Sequence, residues 1–186
     1  MSVQIERHHF TVAEYERMGE VGIFSESDRV ELVEGEVVEM PPIGERHAAS
    51  VDALAELLRE RLGRNIIVRV RNPIRLDDHS QPQPDIAILK RRDDFYRHAH
   101  PRPEDVLLVI EVSDTTLEFD RQIRLPLYAR AGIQEVWVVN LGDARIETHA
   151  RPAGEAYQLA ASFARGQEVQ SQAFAGLLVG VSAVLG

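Results

Sequence analysis

The apolar run VLLVIEVSDTT, Val106 to Thr116, carries an ionisable carboxylate, Glu111, near its end. Val106 to Ile110 is unbroken apolar sequence rather than an alternation, which predicts a strand buried on both faces. A carboxylate left unpaired there is strongly destabilising or takes up a proton, so the chain must supply a partner for its charge. A second short apolar run, PDIAILK from Pro84 to Lys90, opens on Asp85. If the two strands are neighbours in one sheet, both carboxylates converge on one point, and a shared divalent cation would hold the charge. Alternation puts Ser113 on the face of Glu111 and turns Val112 the other way, so Asp85, Glu111 and Ser113 would line one pocket. Hard oxygen donors favour Mg2+ or Mn2+ over zinc. Held so, such ions polarise water, stabilise a pentacovalent phosphorane-like anion and ease alkoxide departure in phosphodiester hydrolysis.

These acids need elements to position them. Thr11 and Glu14 have capping-box spacing, which predicts a short helix over about 12–18. RVELVEGEVVEM reads as a tight hairpin from Val30 to Met40, turning at Glu34 and Gly35 and ended by Pro41 and Pro42. His47, Val51, Leu54 and Leu58 recur at helical spacing, with Gly63 as the stop, so His47 opens the core face of a helix over about 45–62. IIVRVRNPIRL, Ile66 to Leu76, alternates Val68, Val70 and Ile74 with Arg69, Arg71 and Arg75, a half-exposed strand. Phe119 to Ala131 reads as a helix that Pro126 kinks or restarts. EVWVVN is a further buried strand, and ARIETHA, EAYQLAA and the tail GLLVGVSAVL suggest a β-meander closing the sheet.

The chain has 186 residues, enough for one compact domain with a substantial core. It contains no cysteine, which removes disulfides and thiolate metal sites. The opening MSVQIERHHF has no apolar signal region and no stretch approaches a membrane span, so a soluble cytoplasmic protein is expected. Thirty acidic residues against 21 basic ones give a net charge of −9, the wrong sign for unspecific attraction to nucleic-acid phosphate. Any such contact needs a local basic surface or bridging cations, and Arg69, Arg71 and Arg75 are the candidates for that surface.

Pro84 and Asp85 followed by Glu111, Val112 and Ser113 resemble the PD-(D/E)XK nuclease superfamily. The ordered set from FTVAEYERM and RVELVEGEVVEMPP through His47 to EVWVVN is similar to its Uma family of restriction-endonuclease-like proteins. The resemblance implies an α/β (α+β) fold: a mixed sheet flanked by helices, with an N-terminal hairpin and a C-terminal meander. It also implies DNA as substrate, Mg2+ or Mn2+ as cofactor, Asp85 and Glu111 as metal-binding acids, and the Val112 carbonyl as a further ligand. The superfamily's lysine would fall at Ser113, and the family resembled usually carries it on the following helix in a pattern like DRxxKxxxYxxxG. Here DRQIRLPLYARAG places Arg124 at that position. Arginine keeps the charge and can clamp phosphate with two donors, but it does not exchange protons.

Each of these residues also has an ordinary structural role available. Asp120 and Arg124 have the i,i+4 spacing of a surface ion pair. His47 could be a hydrogen-bonded core histidine, and Glu31, Glu34, Glu36 and Glu39 plain hairpin surface, with Glu34 retained as an accessory acid. His98 and His100 form an HxH pair without a third ligand nearby, which favours a loop. Three functions follow: a metal-dependent DNA endonuclease; a catalytically inactive nuclease-fold protein that binds nucleic acid or a protein partner, with a homodimer through the meander; and a two-carboxylate glycosidase, disfavoured by a single Trp in the chain.

Overall fold

The computed structural model describes residues 7–25 and 27–186; the first six residues of the MSVQIERHHF stretch, read above as lacking a signal region, lie outside them. Helix α1 (Val12–Glu20) starts at Thr11, whose side chain accepts from the Glu14 amide while the Glu14 carboxylate accepts from the Thr11 amide. That reciprocal pair is the predicted capping box. The hairpin follows as β1 (Val30–Val33) and β2 (Glu36–Glu39), turning through Glu34 at φ 51° and Gly35 at φ 80°. Two successive positive φ values give the mirror-image turn that matches strand twist.

Helix α2 (Glu45–Leu62) leads through a single 3-10 turn into β3 (Ile66–Val70). Then come β4 (Ile86–Lys90), β5 (Val106–Ser113), the helical crossover, β6 (Glu135–Asn140), β7 (Arg145–Ala153) and β8 (Ala156–Ala164). Together β3 to β8 form one six-stranded sheet in chain order. Within this sheet only β5 and β6 pair in parallel, which is why a helical crossover separates them, whereas short turns join β6 to β7 and β7 to β8. One face buries Ile86, Ile88, Ile110 and Trp137 against Val51, Leu54 and Leu58 of α2. The other buries Leu89, Val109, Val136 and Val138 under Leu127 and Tyr128 of the crossover. Strand β5 is covered on both sides, as its unbroken apolar run requires.

The crossover is α3 (Leu117–Phe119), a π-helical turn over Asp120–Arg124, and α4 (Leu125–Arg130). Pro126 cannot donate a backbone hydrogen bond, and its ring crowds the carbonyl four residues back. Widening the preceding turn, so that the Leu125 amide reaches the Asp120 carbonyl, accommodates this without breaking the helix.

Two segments depart from the sequence expectation. The strand predicted over Ile66 to Leu76 ends at Val70, because Arg71 takes φ 51° and Pro73 cannot donate to a ladder. The tail does not extend the meander: β9 (Glu168–Gln170) and β10 (Leu178–Gly180) form a separate two-stranded ribbon, and α5 (Val181–Leu185) follows. The fully buried Glu135 fixes this ribbon to the sheet. Its carboxylate accepts from Trp137 Nε1 at 2.8 Å, the Ser171 hydroxyl at 2.7 Å and the amides of Gln172 and Ala173 at 3.0 and 2.8 Å. Glu135→Ala strands those donors and is expected to cost about 3 kcal/mol in urea denaturation, with Glu135→Gln intermediate. Equal stability of all three proteins would show that the ribbon is held by its apolar contacts alone.

Candidate active site

Register brings the two predicted acids together. Ile86 pairs with Ile110 across the antiparallel β4 and β5, so Asp85 lies opposite Glu111 at the ends of these strands. The Asp85 amide donates to Glu111 Oε2 at 3.3 Å. Asp85 Oδ2 accepts from the Val112 amide at 2.9 Å and lies 3.0 Å from His47 Nε2, at the start of α2. With the proton on Nε2, His47 donates to Asp85 and its Nδ1 accepts from Arg71 Nη2 at 3.4 Å. Asp85 Oδ1 has no hydrogen bond among the described residues; Arg71 Nε, 3.7 Å away, is its nearest cation.

The partner of Glu111 is a guanidinium, not the shared cation expected from sequence. Arg124 Nη1 donates to Glu111 Oε2 at 2.8 Å and to Asp120 Oδ1 at 3.3 Å, while Nη2 donates to Glu31 Oε1 at 2.7 Å. Tyr128 completes the set by donating to Glu111 Oε1 at 2.6 Å. Asp120 is held in turn by the hydroxyls of Ser113 and Thr116, each 2.7 Å from its Oδ2. The arginine is 4% exposed and Glu111 1%. In place of the free phosphate clamp expected from sequence, the terminal nitrogens of Arg124 are committed to three carboxylates. The Asp120–Arg124 pair exists, but buried and inside a network rather than on a solvated surface. Ser113 lies on the face of Glu111 and serves Asp120.

Sequence reasoning chose the wrong acid from the hairpin. Glu34 is at the exposed turn and pairs with Arg130, whereas Glu31 is buried against Arg124. The signal was present: Glu31 shares a strand face with Val33, which packs in the core, so that face turns inward. Tyr128 was also legible, four residues beyond Arg124 on the same helical stretch. The three arginines expected on one strand face are not in a single row. Arg71 turns into the site, Arg75 pairs with Asp78 at 2.8 Å, and Arg69 lies over the Tyr96 ring. His98 and His100 fall in the loop after β4, and no group of three or more His, Cys, Asp or Glu residues able to hold a metal ion occurs among the described residues.

A cleft of about 310 Å³ opens over this floor, lined by Glu31, Asp85, Arg124, His47, Arg71 and Arg29 among others. Arg29 was not anticipated. Burial and then the neighbouring Arg71 draw its guanidinium below the usual arginine value, with Asp85 in partial compensation. The rim thus carries Arg29 and Arg71 beside the exposed Asp28 and Asp114, over a more deeply buried acidic cluster. On the floor, burial pushes Glu111 well above the usual carboxylate range; Arg124 opposes this, while Asp120 and Asp85 add to it. Asp120 is raised by burial in the same way, against Arg124 and its two hydroxyl donors. Burial also works against the Arg124 charge, but Glu111 and Glu31 hold its proton more firmly than usual. Both directions fit one state: the guanidinium stays charged, and the raised pair Glu111 and Asp120 is the part that takes up a proton.

A raised folded-state value means that the native protein keeps a proton the unfolded chain has released. The contribution of Glu111 to stability is full below its ordinary value of 4.5 and is lost as pH rises through the raised value. Wild-type stability should fall across that window, by up to about 1.4 kcal/mol per pH unit while the one-proton difference persists. Glu111→Gln should flatten the slope, leaving the lesser contribution of Asp120; identical slopes in thermal melts from pH 4.5 upwards would contradict this assignment. Removing the cation is harsher. Arg124→Ala leaves three buried carboxylates unpaired and should lose about 3–5 kcal/mol in chemical denaturation. Arg124→Lys keeps the charge without the fork and should lose less.

Known proteins agree with this architecture. Residues 12–182 match the Uma2 family, described as "Putative restriction endonuclease". The fold is similar to that in the crystal structure of "a putative nuclease belonging to DUF820 from Anabaena variabilis ATCC 29413". The two share a TM-score of 0.71 and 15% sequence identity over 95% of this chain and 97% of that one, a likeness of fold. No curated protein matches. With the family match spanning the hairpin, both acids, the crossover and the ribbon, the chain belongs to the Uma2 family.

Proposed function

We propose that this protein is a nuclease that hydrolyses DNA phosphodiester bonds in the cleft above Asp85, with a divalent cation of the magnesium class. The observation that carries the reading is the convergence of Asp85 and Glu111 at the paired ends of β4 and β5, beneath a rim of Arg29 and Arg71. Membership of a family described as restriction endonucleases supports the substrate class.

The donor set fits a hard cation in its chemistry. The acids offer hard oxygen donors, three of them surround the single charge of Arg124, and Asp85 Oδ1 carries no hydrogen bond among the described residues. Asp85 and Glu111 would hold the ion, with the Val112 carbonyl as a further donor. Both Glu111 oxygens already accept hydrogen bonds, so Arg124 Nη1 must share Oε2 with it. When bound, such an ion supplies a polarised water and charge for the developing phosphorane.

The chain's own residues perform the remaining tasks. Arg71 reaches into the cleft with an unpartnered Nε and is the group placed to bind a phosphate oxygen, the role expected of Arg124. Arg29 adds a second positive charge on the rim. His47 fixes the Asp85 carboxylate through Oδ2 and so leaves Oδ1 facing the cleft. Arg124 and Tyr128 fix Glu111 from below.

The Arg124 lock also favours a second reading, an inactive nuclease-fold protein whose guanidinium has taken the place of the ion. Calorimetric titration of Mn2+ into the wild type and Asp85→Ala separates the two. The nuclease reading expects binding that disappears in the variant, together with nicking of supercoiled plasmid by the wild type in Mg2+. Absence of binding in both proteins would leave the inert scaffold as the account.

A further inference from the structure

A second, basic hollow includes Arg69 of β3, two residues before the Arg71 that lines the cleft. Arg69, Arg75, Arg97 and Arg102 line it with His100, and Glu16 is the one acid among the lining residues. Arg69 Nη1 and Arg75 Nε are buried there without a hydrogen-bond partner among the described residues. Each is a donor that the protein's own acceptors leave available to an oxygen, whether of water or of an anion. Arg97 and Arg102 make no ion pair among the described residues, and Arg75 has Asp78 alone. His100 senses the excess: burial first, then Arg69 and Arg75, draw its imidazole below the usual value, with Glu16 opposing. In a chain of net charge −9, this concentration of arginine runs against the overall balance.

The hollow is also pre-shaped. Phe95 and Tyr96 stand at φ 50° and 59°, two bulky residues in succession in the left-handed region. Such strain persists where the surroundings hold it and marks functional segments more often than inert ones. Its effect here is to turn Tyr96 inward, 3% exposed, with its hydroxyl on the Lys90 carbonyl at 2.8 Å. The ring then serves as the surface on which the guanidiniums of Arg69 and Arg92 lie, 5.6 and 4.5 Å from its centroid. Arginines oriented in advance lose less freedom when they bind an anion.

We infer that this hollow is a docking surface for the nucleic-acid backbone, binding phosphates flanking the one presented to the cleft. The inference rests on the nuclease reading for its partner. Continuity supports it: Arg69 lines the hollow and Arg71 the cleft, about 7 Å apart in extended chain, so one phosphate strand can engage both. The contacts are to backbone rather than bases, because the surface offers guanidinium and imidazole groups in a shallow bowl rather than a projecting element for a groove.

The test is anisotropy of a short fluorescein-labelled DNA duplex, titrated over a range of salt in EDTA so that no divalent ion contributes. The variants are Arg69→Gln/Arg75→Gln, the more exposed Arg97→Gln/Arg102→Gln, and a control with the same charge change on β7, Arg145→Gln/Arg151→Gln; thermal melts confirm folding. Each hollow pair should make the dependence of log affinity on log salt shallower by about 1.8, at about 0.9 for each phosphate no longer neutralised, and the control should leave it unchanged. An unchanged slope in Arg97→Gln/Arg102→Gln, an equal change in the control, or no duplex binding by the wild type would overturn the docking surface. The two readings fail separately. Plasmid cleavage by the wild type alongside an unchanged slope in the hollow variants removes the surface and keeps the nuclease. Binding with the expected slopes and no cleavage keeps the surface and removes the nuclease.

Discussion

One buried guanidinium organises the functional end of this molecule. Arg124 joins three segments distant in sequence: Glu31 from the hairpin, Glu111 from the central strand, and Asp120 from its own helical turn. A charge taken that far from water is costly, and a buried ion pair is weak evidence for stability in itself. Its value here lies in geometry. The planar fork directs Nη1 and Nη2 to different carboxylates, so the hairpin cannot shift against the sheet without breaking a hydrogen bond on one side. A lysine at the same position would provide a point charge but not that fork, and the arginine therefore ties active-site shape to hairpin docking.

The π-helical turn makes this arrangement possible. A regular α-helix through Pro126 would force the ring against a carbonyl one turn earlier, and the usual remedy is a kink. Here the chain absorbs the conflict in a wider turn whose first and last residues are Asp120 and Arg124. Both side chains point into the cluster, and Tyr128 follows from α4 with its hydroxyl on Glu111. The proline that read as a helix breaker in the sequence thus falls where the helix must depart from regularity to present its charged residues.

The convergence of Asp85 and Glu111 was legible because each sits at a fixed place in a short apolar run, and strand periodicity leaves little freedom once two such runs are adjacent. The hairpin turn and α2 were legible for similar reasons, through Glu34-Gly35 and through Val51, Leu54 and Leu58. What the sequence concealed depended on burial or on a single dihedral. Asp120 and Arg124 have the same spacing whether the pair is solvated or enclosed, so their role could not be read from spacing. Arg69 and Arg71 looked like one row until the positive φ of Arg71 turned it into the cleft and left its neighbour facing the hollow. The apolar tail was too short to reveal that Glu135, rather than the sheet edge, would hold its ribbon.

Charge is segregated by depth rather than averaged over the surface. Beneath the cleft lie buried acids, of which burial raises Glu111 and Asp120, while Arg29 and Arg71 line the cleft and four further arginines line the hollow. At the mouth of the cleft Arg29 and Arg71 stand beside the exposed Asp28 and Asp114, whereas Glu111 and Asp120 lie buried beneath. The net charge acts in the opposite sense at long range, but beyond about 8 Å at physiological ionic strength such fields are largely screened. Within that distance the local arrangement decides, and it is mixed at the cleft and predominantly cationic in the hollow. A net charge of −9 is thus compatible with local concentrations of arginine, because the sum over the chain does not fix the charge of any one surface.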